Sequence, residues 1–393
     1  MKKLVLGFIA AFILMGNCAN GGDDGLPPYD IDAVTEDEKL WKIYEDKFLI
    51  GNIINDTYKS GKYLKYLTTH YNAVTCENDM KPSSLAPSSG NYTWSNADSM
   101  VNTAIANGME VHGHTLVWHR QTPSWMYTSN AETNMKNHIT NVINHFKDRV
   151  KSWDVVNEAV KGFSSNDPLP TSWLASYLRT TSTDSNNPEN HWQKYVGDDY
   201  IEIAFKAARE ADPDALLYYN DFDMHVRNKS KAVYYLIKEI NDRYAAENDG
   251  AKLIDGVGIQ GHWGHFLNDK DNKGINTYFE NIKMAIEDFI SLEIYIDISE
   301  LDIRIGDAPE GTNSNSSMSS SDAQKQAQLY AQVFNMLLEF KEDEVIQEQI
   351  RRVTMWGIDD KNSWKSKGNP CLFDGNLKAK PAFWAVSEAV SKL

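Results

Sequence analysis

Three cysteines, Cys18, Cys76 and Cys371, are scattered through 393 residues without paired spacing, which excludes a thiolate metal centre and gives no basis for a disulfide framework. Cys76 and Cys371 fall on separate expected elements and are read as buried free thiols. No Gly-rich phosphate loop follows any strand-like run, so a nucleotide-binding sheet has no anchor. No cluster of Lys and Arg interrupts a chain of formal net charge -16, which disfavours nucleic acid and anionic lipid as partners. The apolar run at the start, Leu4 to Met15, is too short for a membrane span. Aromatic residues, by contrast, are plentiful: Trp 11, Tyr 19 and Phe 14, some of them in expected loops where core packing does not require them. Flat rings of this kind suit a neutral ligand with apolar C–H faces.

Two lysines, the Leu4–Met15 run and then small or polar residues before Cys18 read as an export signal over residues 1–18, outside the fold. Cys18 stands where a bacterial lipoprotein signal carries its lipidated cysteine, although Asn17 departs from the usual small residue there, and residues 19–39 read as a flexible tether. The expected location is the periplasm or outer cell surface, with a lipid on Cys18 as the sole membrane contact. From residue 40 to 393 short apolar runs alternate eight times with segments of helical period. The runs are 48–54, 72–78, 110–118, 152–158, 215–221, 255–262, 294–302 and 352–358. Amphipathic stretches between them include 131–148, 199–212, 230–244 and 322–343. Strands that are apolar throughout are buried on both faces, and the alternation predicts a single α/β (β/α)8 TIM barrel with enlarged βα loops. A doubly wound open sheet is the alternative.

Polar residues gather at the strand ends, the face on which such barrels do chemistry. Glu158 closes one run and Glu300 another. A carboxylate at the edge of a buried strand is costly unless solvated, paired or used, and two carboxyls in different environments are what glycosidic bond cleavage requires: one protonated, one ionised. Asn157 is placed to hold a sugar hydroxyl beside Glu158. His262 is expected to donate to Glu300 and keep it charged. Asp302, two residues beyond Glu300 and so on the same strand face, is expected to orient that histidine. This assigns Glu158 as acid/base and Glu300 as nucleophile. His112 and His114 also share a strand face, but no third ligand stands at metal-site spacing, and His112 is read as barrel interior. The loop at 161–198, with Phe163, Trp173, Tyr177 and Trp192, is expected to wall a cleft, and the polar loop at 307–321 to be solvated.

With TCENDMKP (75–82), GHTLVWHRQTPSW (113–125), WDVVNEA (153–159), LLYYNDF (216–222), DGVGIQGHW (255–263), ISELDI (298–303) and TMWGIDDKNSW (354–364) in order, residues 40–393 resemble a glycoside hydrolase family 10 endo-β-1,4-xylanase. The resemblance implies a retaining mechanism with Glu158 and Glu300 in the roles just given, xylan and xylo-oligosaccharides as partners, a monomeric chain and no cofactor. It further implies that Glu77, Asn78 and Lys81 bind the sugar on the non-reducing side, with His114, Trp118, Gln121 and Asn157 nearby. Gln260 and His262 correspond to residues beside the nucleophile, Trp356 and Trp364 to rings lining the glycone subsites, and Tyr219 and Asn220 to contacts on the leaving side. Crowding by Gln121 and Trp364 is the implied basis for preferring xylose to glucose. A surface glycan-binding lipoprotein without catalysis and a related barrel hydrolase acting on β-glucan are the competing functions.

Overall fold

The computed structural model describes residues 26–164, 167–180, 190–264, 273–304, 318–343 and 346–392. The export signal, Cys18 and most of the 307–321 loop lie outside the described residues.

Eight parallel strands close into a barrel in sequence order, with β1 paired to β8. They are β1 (Leu49–Ile54), β2 (Ala73–Cys76), β3 (Glu110–Trp118), β4 (Ser152–Asn157), β5 (Leu216–Asp221), β6 (Gly256–Trp263), β7 (Tyr295–Ile303) and β8 (Ile350–Met355). The closure rules out the open-sheet alternative. Each strand leads to a principal helix: α1 (Gly61–His70), α2 (Ser95–Ala106), α3 (Ala131–Phe146), α4 (Tyr200–Ala211), α5 (Arg227–Glu247), α6 (Lys273–Ile290), α7 (Ser320–Lys341) and α8 (Pro381–Ser387). Every residue of β2 and β4 is buried, as expected of strands that face side chains inside and helices outside. Among the described residues no helix is long and apolar enough to cross a membrane.

Large rings pack on both faces of the barrel wall, Tyr218 inside against His112 and Trp153 outside against Phe146 of α3, and small residues opposite them make room. A Cβ on Gly113 would lie 2.1 Å from the Trp153 ring, and one on Gly256 would lie 2.3 Å from Tyr218. The interior is also charged: Arg352 is 1% exposed and pairs with Asp297 at 2.5 Å. His112 sits in this layer, 2.7 Å from Ser152 Oγ and 3.1 Å from Asp154, as the interior reading anticipated. The strand registers shift toward the C-terminal ends, between His114 and Val117 in β3, Asp154 and Val156 in β4, Gln260 and His262 in β6, and Ile298 and Leu301 in β7. Irregularities of this kind re-aim side chains next to functional sites.

The tether is shorter than expected. Tyr29 packs tilted or edge-on against Phe373, Phe383 and His70 at centroid distances of 5.3, 5.2 and 6.0 Å, and its hydroxyl meets His70 Nε2 at 2.5 Å. A 3-10 turn at Glu36–Glu38 is closed by a reciprocal bond pair with Thr35. Residues from Tyr29 onward therefore belong to the packed body, because a ring in an otherwise polar stretch found an aromatic pocket beside α8.

Candidate active site

Both glutamates occupy left-handed backbone at the working end of the barrel: φ is +57° at Glu158 and +57° at Glu300. For a non-glycine residue that conformation is disfavoured, and it persists only where the surroundings over-determine it. At β7 the reason is a register skip: Gln260 pairs with Ser299 but His262 pairs with Asp302, so three residues of β7 span two of β6. Asp302 does meet His262, as expected, but not through the simple strand alternation expected of it. An inserted residue, rather than simple alternation, brings Glu300 and Asp302 to the same imidazole.

Glu300 is 7% exposed. Burial works to raise its pKa, yet the pKa lies below the usual carboxylate value because His262 Nε2 bonds Oε2 at 2.9 Å, His114 and His262 add positive charge, and Asn220 Nδ2 donates to Oε1 at 2.8 Å. His262 Nδ1 meets Asp302 Oδ2 at 2.9 Å. Burial disfavours the imidazolium, but the two carboxylates outweigh it and hold His262 up to about 10. Trp364 Nε1 donates to the same Asp302 oxygen at 2.7 Å, and its ring lies 4.7 Å from His262.

Glu158 follows β4 and is half-buried. Trp118 Nε1 donates to Oε2 at 2.9 Å and Gln260 Nε2 to Oε1 at 3.1 Å. Gln260 Nε2 also lies 3.1 Å from Asn157 Oδ1, and Asn157 Oδ1 lies 3.0 Å from Asn220 Nδ2. Three amides therefore connect the two carboxylates: Glu158, Gln260, Asn157, Asn220, Glu300. Turning the Asn157 amide over exchanges its contacts for a donation to the Asn220 carbonyl at 3.2 Å and an acceptance from Trp118 Nε1 at 3.3 Å, so the side chain is held in either orientation.

Two expected sugar contacts are corrected. Tyr219 and Asn220 are both 0% exposed. Asn220 is occupied with Glu300, Asn157 and Ser299, whose hydroxyl donates to its Oδ1 at 2.6 Å. The Tyr219 hydroxyl donates to Asp221 at 2.6 Å, inside the protein. Alternation along β5 sends these side chains to opposite faces, and neither face is the open cleft.

The remaining expected residues gather at the same mouth. Lys81 Nζ donates to Asn78 Oδ1 at 2.9 Å and lies 5.1 Å from the centre of the Trp118 ring. Burial lowers its pKa, and the carboxylates of Glu300, Glu77 and Glu158 oppose that. Gln121 Nε2 reaches Asn78 Oδ1 at 3.3 Å, and Asn55 donates to Glu77 at 2.8 Å. His114 Nδ1 bonds Asp154 at 2.8 Å, with its ring 5.7 Å from Trp356. Trp356 is 5% exposed while Trp364 is 49% exposed. Among the described residues no group of three His, Cys, Asp or Glu is gathered as metal ligands. Of the rings expected to wall a cleft in the loop after β4, Trp192 is instead buried, donating to the Trp118 carbonyl at 2.9 Å, while Phe163, Trp173 and Tyr177 are half-buried and the Trp173 amide donates to Glu239 on α5 at 2.9 Å.

Asp154, Arg179 and Lys229 escaped the sequence reading. Two of them carried a signal: Asp154 is an acid inside an apolar strand, and Lys229 lies on the stripe Lys229, Val233, Leu236, Ile237, Ile240 that α5 buries; Arg179, in a loop, carried none.

A parallel barrel whose C-terminal mouth joins two strand-end carboxylates through a chain of amides, flanked by half-exposed indoles, has the architecture of a barrel glycoside hydrolase. Comparison with known sequences narrows this: the chain belongs to glycosyl hydrolase family 10, whose pattern matches residues 39–389. It is 35% identical to endo-1,4-beta-xylanase A of Thermoanaerobacterium saccharolyticum over 88% of this chain and 27% of the relative. It is 34% identical to exoglucanase XynX of Acetivibrio thermocellus over 89% of this chain and 29% of the relative. The chain thus spans less than a third of the length of these two curated relatives. The crystal structure of xylanase B from Clostridium stercorarium F9 superposes with a TM-score of 0.74 at 32% identity, covering 89% of this chain and 99% of that one.

Proposed function

We propose that this chain is an endo-1,4-β-xylanase that cleaves internal β-1,4-xylosidic bonds with retention of configuration. The observation that carries the reading is the pair of glutamates at one mouth, Glu300 buried and held ionised by His262 and Asn220, Glu158 half-buried beneath Trp118 and Gln260. The Glu300 carboxylate attacks the anomeric carbon, the C1–O bond to the leaving sugar breaks, and the departing oxygen takes the Glu158 proton. Glu158, now a carboxylate, removes a proton from water; the water oxygen attacks C1, the ester bond to Glu300 breaks, and both groups return to their starting state. Glu77, Asn78, Lys81 and His114 bind the glycone sugar, and Trp356 and Trp364 line it. Gln121 and Trp364 crowd the place where glucose would carry its hydroxymethyl group.

The A. thermocellus relative's name favours a second reading, action on β-1,4-glucan. Release of reducing ends from xylan and from cello-oligosaccharides by residues 21–393 separates the two. Faster release from xylan supports the xylanase reading; faster release from cello-oligosaccharides supports the other; binding of xylan without cleavage overturns both. We further propose that the chain works as an exported monomer held to a membrane by a lipid on Cys18, a reading supported by its first eighteen residues.

A further inference from the structure

We propose that Tyr219, Asp221 and Lys229, with Arg179, are positioning residues for the acid/base: a buried clamp that fixes the backbone of Glu158, Ala159 and Val160 and so aims the Glu158 carboxyl. This rests on the function proposed above and identifies how that site is held.

Every backbone polar group of the three residues is bonded. The amide of Glu158 donates to the Asn220 carbonyl at 2.8 Å, and those of Ala159 and Val160 both donate to the Tyr219 hydroxyl, at 3.1 and 3.0 Å. On the carbonyl side, Glu158 accepts from Arg179 Nε at 3.1 Å, Ala159 from the Arg179 amide at 2.8 Å and Val160 from the Arg179 guanidinium at 3.5 Å. A phenol has one proton to give and two lone pairs. Tyr219 spends the proton on Asp221 Oδ2 at 2.6 Å, which leaves both lone pairs for the two amides. Asp221 is in turn fixed by Lys229, whose ammonium donates to Oδ1 at 2.7 Å and sits 3.6 Å from the centre of the Phe222 ring. Lys229 and Asp221 are both 0% exposed.

The two catalytic groups are thus held differently. Glu300 is anchored through its carboxylate, by His262 and Asn220. Glu158 must gain and lose a proton; among the described residues its carboxyl accepts from Trp118 and Gln260, neither of them charged, and its direction is set from behind by a left-handed backbone clamped at every polar atom. Removing the Tyr219 oxygen leaves the buried Ala159 amide without a partner and Val160 with only its longer bond to Asp221 Oδ2 at 3.3 Å, and lets the Glu158 backbone relax, which misplaces the general acid without touching the nucleophile.

The test is Tyr219→Phe, with Arg179→Gln loosening the same backbone from the other side, assayed on phenyl and dinitrophenyl xylobiosides. Phenolate is a poor leaving group and needs the acid; dinitrophenolate leaves without it. The expected result is kcat/KM on the phenyl substrate down about tenfold to a hundredfold, part of the roughly hundredfold to ten-thousandfold that a positioned general acid supplies, with kcat/KM on the dinitrophenyl substrate nearly unchanged. On the latter, kcat and KM should fall together as the glycosyl-enzyme accumulates, and azide, which attacks it without base help, should restore kcat. Equal losses on both substrates in whichever variant folds, or no loss on either, would overturn the proposal. Failure of the wild type to cut either substrate would instead overturn the function on which it rests.

Discussion

Asp302→Asn removes one of the two carboxylates that share the His262 imidazole, each 2.9 Å from a ring nitrogen. In the folded chain His262 is held up to about 10 against its ordinary value of 6.5. At about 1.4 kcal/mol per pH unit, that difference amounts to about 5 kcal/mol favouring the folded imidazolium. His262 is 15% exposed, so little of it is screened. Two carboxylates divide the effect, and losing the charge of Asp302 should cost about 2 to 3 kcal/mol. The sign follows from the direction of the shift: a raised histidine stabilises fully below 6.5, and its contribution disappears as pH climbs through about 10. Urea denaturation of wild type and Asp302→Asn at pH 6 and at pH 10 reads this directly. The variant should be clearly weaker at pH 6, with the gap narrowing toward pH 10. Equal stability at pH 6, or a gap that widens with pH, would refute the shared-imidazolium argument.

Three further changes probe other levels of the structure. Tyr29→Ala deletes a ring from the aromatic cluster with Phe373 and Phe383 and takes the partner from His70 Nε2, so thermal unfolding should show a loss of about 2 to 3 kcal/mol; a truly flexible tether would show none. Gly113→Ala drives a methyl to 2.1 Å from Trp153 in the layer between the barrel wall and α3, and should cost about 2 to 3 kcal/mol of stability in the same measurement. Trp364→Ala removes a half-exposed ring beside His262. Its KM for xylo-oligosaccharides should rise about fivefold to tenfold, as expected for a lost stacking platform, with a smaller change in kcat.

The barrel was legible because its strands are apolar on both faces and its helices carry one apolar stripe, so period alone separates them. The site was legible because acids, amides and indoles stand at strand ends in a pattern that burial alone does not explain. What escaped was what periodicity cannot encode. Alternation along β5 is visible in the sequence, but which of Tyr219 and Asn220 faces the barrel axis depends on a register that shifts within β4. The register skip in β7 is likewise set by pairing with β6, not by its own residues. The Lys229–Asp221 pair joins a helix stripe to a strand end; the stripe marks Lys229 as inward-facing, but its partner is set only when the helix is docked. The loop after β4 has rings enough to wall a cleft, yet Trp192 buries against the Trp118 carbonyl, because an indole with a partner inside is better placed there than in water.

The central claim is that Glu300 attacks and Glu158 delivers and removes the proton. The most direct measurement is the anomer of the first product released from xylan, followed by NMR, for wild type beside Glu300→Ala and Glu158→Ala. The account predicts β-xylo-oligosaccharides from the wild type and no cleavage of xylan by either variant. An α-anomer as first product, or undiminished cleavage by Glu300→Ala, would contradict it.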